Sequence, residues 1–157
     1  MPEPGEGNER SILLGWLAFH RSALAATCAG LSDDQLVERP SPPSPLSLLG
    51  LVRHLTEMER LYGAWANGCP SHLVAVWGEH VDGGPDLDFD CTTTEVQKSM
   101  RAWRDEKAST DGTIKGLDLE DTEGANGRSL RWNLQKLVGE YARHNGHADL
   151  IRERIGA

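Results

Sequence analysis

The sequence predicts an all-α protein, a four-helix bundle with a long crossover loop. Three observations carry this. Four stretches repeat apolar residues at three- and four-residue spacing, the period of a helix with one buried face. Gly and Pro cut the chain between those stretches, and no convincing strand alternation interrupts them. The length, 157 residues and 17.2 kDa, suits one domain of residues 1–157 with a core of its own.

The first helix is expected over residues 8–29. Ile12, Leu13, Trp16, Leu17, Leu24 and Cys28 form its stripe. Asn8 suits the N-cap, and Gly30 suits the left-handed position past the end. Ser32-Asp33-Asp34-Gln35 then reads as a short capped turn. Four prolines in the six residues 40–45 exclude a helix there and predict an extended connector. A polyproline ligand is the lesser alternative.

The second helix starts at Ser44 or Ser47 and runs to about Asn67, where Gly68 and Pro70 stop it. Leu48, Leu51, Val52, Leu55, Met58, Tyr62 and Trp65 form its stripe. Residues 69–91 lack a helical pattern, and so long a connection reads as a crossover or a functional loop. Thr92 and Glu95 offer a capping box for a third helix, expected to end near Lys107. Residues 108–128 read as Gly- and Asp-rich loop. The fourth helix runs from Ser129 to about Ile155 on Leu130, Leu134, Leu137, Val138, Tyr141, Ala148 and Ile151. The five tryptophans read as core anchors. Glu59 falls inside an apolar arc, which predicts an arginine partner.

Composition excludes some function classes. Sixteen Lys and Arg against 24 Asp and Glu give a net charge of −8, which opposes binding to nucleic acid or to an anionic membrane. Mean hydropathy is −0.47, and no apolar run reaches a membrane span of roughly 20 residues. Residues 1–10 do not read as a signal peptide. Three cysteines cannot all pair, so reduced thiols in a cytoplasm are expected.

A bundle builds its sites from inward side chains on facing helices. His54 flanks the stripe of the second helix. Glu140, His144 and His147 flank that of the fourth, and Glu140 and His144 stand one turn apart. Two histidines and a carboxylate suit a divalent metal with open coordination positions. Histidines that merely pack in a structural bundle are the plainer alternative. A ferritin-like di-metal site is excluded, because the order on the second helix is His54-x-x-Glu57 and the first helix offers no inward carboxylate. Cys69, His72, His80 and Cys91 form a looser zinc alternative. The aspartates at 82, 86, 88 and 90 do not match a calcium loop and read as a solvated segment. No nucleophile elbow or phosphate-binding glycine loop is present.

Two motifs carry a family resemblance. The first is Ser47-Leu-Leu-Gly-Leu-Val-Arg-His54-Leu-Thr-Glu-Met-Glu59-Arg60. The second is Glu140-Tyr-Ala-Arg-His144-Asn-Gly-His147-Ala-Asp149-Leu-Ile-Arg152-Glu153. Together they resemble the DinB/YfiT-like superfamily of metalloenzymes, and within it a branch of unknown function common in actinobacteria. The resemblance implies an up-down-down-up bundle, often a homodimer. It implies a zinc or nickel ion held by His54, Glu140 and His144, with His147 as a fourth ligand or close neighbour. Glu in the place of Glu140 is shared with the mycothiol-dependent maleylpyruvate isomerases. Lys136 stands where His is frequent, and Gly139 where Glu is frequent. The implied activity is that of a metal-dependent thiol transferase or isomerase, which activates mycothiol or a similar thiol against an electrophile. Arg53, Arg143 and Asn145 are then candidates to hold the sugar-like thiol at the cleft rim. A metal-binding, stress-related module without turnover is the competing expectation.

Overall fold

The computed structural model describes residues 2–69, 73–78, 86–122 and 124–156. Among them are five α-helices and no strand: α1 (Glu9–Cys28), α2 (Asp33–Val37), α3 (Leu48–Met58), α4 (Val96–Ile114) and α5 (Leu130–Arg154). The caps follow the sequence. The Asn8 side chain accepts from Ser11 N, Ser47 from Gly50 N and Ser129 from Trp132 N. Ser32 with Gln35 and Thr92 with Glu95 form capping boxes. Gly30 takes φ +76° just beyond α1, a conformation that side chains with a Cβ resist.

α3 does not stop at Met58. It continues as a π-helical segment, Glu59–Trp65. The Asn67 amide closes the segment by donating to Tyr62 O and Gly63 O, at 2.8 and 2.7 Å.

Contacts between helices give the directions. Glu9 meets Arg131 and Thr27 meets Arg152, so α1 runs parallel to α5. His54 meets His144 and Tyr62 meets Trp132, so α3 runs antiparallel to α5. Arg53 pairs with Glu95 and Arg60 with Glu106, so α3 and α4 run parallel. The bundle is therefore up-down-down-up. Two parallel neighbours require a crossover between them, and the described residues 73–78 and 86–92 belong to it.

Leu17, Leu24, Leu48, Leu51, Leu55, Leu130, Leu134, Leu137 and Tyr141 lie in one fully enclosed core. Each buried leucine is worth about 1.5–3 kcal/mol. A polar network crosses that core. Arg21 grips Glu59 through two bonds, Nε–Oε1 at 2.7 Å and Nη2–Oε2 at 2.6 Å. Tyr141 donates to Glu59 Oε1 at 2.7 Å, and Trp103 donates to Tyr141 at 2.7 Å. The arginine partner expected for Glu59 is Arg21.

Two expectations are corrected. α4 runs to Ile114 rather than Lys107. Its polar last turns are held by tertiary contacts: Ile114 and Thr110 are buried, and Thr110 donates to Glu59 O. Of the tryptophans only Trp103 is buried, while Trp132 is 41% exposed. Among the described residues no helix is long and apolar enough to cross a membrane.

Candidate metal centre

α3 and α5 bring the three sequence-predicted ligands together. One donor atom each of His54, Glu140 and His144 lies within 4.8 Å of the others. The His54 and His144 rings are 4.6 Å apart, centre to centre. His144 Nε2 lies 3.6 Å from Glu140 Oε2. His147 lies beside the group, its Nδ1 3.3 Å from His144 Nδ1.

Each donor is prepared by its surroundings. Burial, with smaller contributions from His54 and His147, pushes His144 down to about 4, so its imidazole is neutral at pH 7 and has a lone pair to give. Burial alone would raise the Glu140 carboxyl. The Lys136 ammonium, 2.6 Å from Oε1, outweighs it, with help from Arg143 and His144, and holds Glu140 below the usual carboxylate range. Lys136 thus secures one oxygen of Glu140 and leaves the other facing His144.

His54 is oriented from the crossover. Asp88 Oδ2 lies 3.1 Å from His54 Nδ1. A carboxylate only accepts, so Nδ1 is the donor, which leaves Nε2 as the ring nitrogen for a metal. Asp88 is 3% exposed, and its position is fixed from several directions. Phe89 packs on Gly50, where a Cβ would come within 2.4 Å of its ring. Arg53 donates to Leu87 O at 2.7 Å, and Arg39 donates to Phe89 O. The Asp86 side chain accepts from Asp88 N at 3.1 Å. The expectation of a solvated acidic segment therefore fails at Asp88. The usable signal was Phe89, an aromatic among aspartates, which marks a segment anchored in the core.

The cluster opens at His54 on a cleft of about 530 Å³. Met58, Leu61, Leu73, Val74 and Ala75 give it apolar walls, and Glu57, Asp86 and Asp88 complete it. Burial pulls the Glu57 carboxyl upward despite the Val76 and Trp77 amides that donate to it.

The predicted thiol-holding residues are placed apart. Arg53 is 3% exposed, bonds Glu95 as well as Leu87 O, and stacks 4.4 Å from the Trp77 ring. Asn145 is buried and donates to His20 O at 3.0 Å. Arg143 is exposed, with Nη2 3.8 Å from Glu140 Oε1. Cys28, Cys69 and Cys91 form no disulfide. His72, His80 and Asp82 lie outside the described residues.

A family model described as mycothiol-S-transferase matches residues 12–157. No curated protein and no solved structure gives a significant match.

Proposed function

The chain belongs to the mycothiol-S-transferase family, a DinB/YfiT-like family, and from that membership we propose that it is a metal-dependent transferase joining mycothiol to an electrophile. The observation that carries the metal dependence is the convergence of His54, Glu140 and His144 within 4.8 Å at the mouth of a cleft. The donor set fits a divalent cation: two imidazoles, one of them held neutral by burial, and one carboxylate kept ionised. Zinc or nickel suits this mixture of nitrogen and oxygen donors. Such an ion, when bound, would lower the proton affinity of a nearby thiol and so favour thiolate at neutral pH.

The chain's own residues supply the rest. His54 and His144 offer nitrogen lone pairs, and Asp88 fixes the direction of the first. Glu140 adds the negative charge, shared with Lys136. The apolar walls of the cleft hold an electrophile beside the sulfur and limit water. In the transfer a sulfur–carbon bond forms as the bond to the leaving group breaks. The leaving group departs with the electron pair, and the thiol proton passes to solvent. We place the enzyme in the cytoplasm, where reducing conditions suit thiol-transfer chemistry, and as a homodimer.

The test is metal content by inductively coupled plasma mass spectrometry, together with mycothiol-dependent consumption of monochlorobimane. Near one equivalent of metal is expected, lost along with turnover in His54→Ala/His144→Ala and after chelation. A double variant that retained one equivalent would refute the ligand assignment. Metal binding with no turnover of mycothiol would leave a metal-binding module.

A further inference from the structure

We infer that the two substrates reach the cluster from different sides of the π segment, resting on the transferase reading above: the sugar-like part of the thiol lies in a groove along α5, and an uncharged, apolar electrophile lies in the cleft beside α3. Adjacent residues mark the division. Leu61 lines the apolar cleft, while Tyr62 packs against Trp132, with ring centres 6.0 Å apart.

The α5 groove holds about 330 Å³ between Trp132, Gln135, Lys136, Gly139, Glu140 and Arg143. These residues recur at three- and four-residue spacing, so they form one face of the helix. Glu140 is both a wall of the groove and a member of the metal-ligand cluster. Gly139 leaves room there, since a Cβ at that position would meet nothing within 4 Å. Trp132 lies two helical turns from Glu140, about 12 Å along the axis. That is the reach of a thiol arm followed by one or two sugar rings.

The chemistry of the groove suits such a molecule. Trp132 presents a large ring, 41% exposed, where an apolar molecule would leave its polar neighbours unsatisfied. A sugar offers both surfaces at once: C–H groups for the ring, and hydroxyls for the Gln135 amide and the Arg143 guanidinium. The apolar cleft is the opposite case. Three carboxylates, Glu57, Asp86 and Asp88, line it, and no Lys or Arg does among the described residues. An anionic electrophile would be repelled there, whereas an uncharged molecule with apolar surface would be accepted.

The test varies mycothiol and monochlorobimane separately on zinc-loaded protein, and titrates mycothiol into the same variants by calorimetry. Trp132→Ala should raise KM for mycothiol and weaken its isotherm about tenfold, equivalent to about 1.4 kcal/mol, and leave KM for the bimane nearly unchanged. Leu73→Glu should raise KM for the bimane and leave the mycothiol isotherm intact. The reverse pattern, or no change in either variant, would overturn the assignment. So would a Trp132→Ala protein that changes only its oligomeric state by light scattering, which would make the groove a subunit contact. Absence of turnover in the wild type would refute the transferase reading alone; the isotherm would still decide the groove.

Discussion

Replacing Arg21 by Met tests the polar network that ties α1, the π segment and α5 together. Glu59 has no exposure to solvent. The substitution removes both bonds from Arg21 and leaves the carboxylate, among the described residues, with one remaining donor, the Tyr141 hydroxyl on Oε1. Oε2 then loses its guanidinium partner inside the core. Removing one member of a buried ion pair costs about 3–5 kcal/mol, mostly as the penalty of the stranded charge. For a chain of this size that lowers Tm by about 6–20 °C. Glu59→Met should cost less, because Arg21 keeps Asp111 at 2.7 Å and that aspartate reaches solvent. Removing both charges, in Arg21→Met/Glu59→Met, should recover most of the loss, since no ion is left buried. Urea unfolding of the four proteins, followed by circular dichroism, reads all three values. A cost below about 1 kcal/mol for Arg21→Met, or a double variant equal to the sum of the singles, would refute the reasoning.

Three further outcomes follow from the geometry. Asp88→Asn should weaken zinc binding about 10–100-fold, measured by competition with a chromophoric chelator, because His54 loses the carboxylate that orients it. Gly63→Ala places a Cβ 2.1 Å from Thr110 Oγ1; it should cost about 1–3 kcal/mol of stability in urea unfolding, with partial rescue by Thr110→Ala. In metal-stripped protein His144 titrates near 4 when folded and near 6.5 when unfolded, so the unfolded chain takes up the proton first. Its contribution is therefore intact above about pH 6.5 and is lost as the pH falls toward 4. A stability–pH profile of wild type should decline more steeply across that window than that of His144→Gln.

Much of this structure is legible in local chemistry. Helix starts were marked by Asn8, Ser32, Ser47, Thr92 and Ser129, each a side chain able to accept from a nearby amide. Placing Glu140 and His144 one turn apart needed only the helical period. What escaped was decided by distant residues. The end of α4 has poor helical signals, yet Thr110 and Asp111 hold it to the π segment and to α1. The π segment itself has no clear sequence mark, and Gly63 is required there by contact with Thr110 on another helix. Exposure of Trp132 could not be read either, because a tryptophan at the edge of an apolar stripe satisfies the same periodicity whether it faces in or out.

The topology connects these gaps to the site. Because α3 and α4 are parallel, the chain must return along the bundle before α4 can begin, and a short turn cannot do this. The return segment has no helical period, so its sequence reads as a crossover or functional loop, without the contacts it makes. Yet it passes the N-terminal half of α3, where Gly50 admits Phe89 and Arg53 captures Leu87 O. Those two anchors carry Asp88 to His54. The part of the chain least legible in sequence therefore supplies the carboxylate that orients a predicted ligand, and also Leu73, Val74 and Ala75 in the wall of the cleft. Ligand spacing on helices is a local property, whereas orientation and substrate enclosure are consequences of how the parallel pair is connected. Substitutions in residues 86–89 should accordingly change metal affinity and electrophile KM together, while caps such as Asn8 should change stability alone.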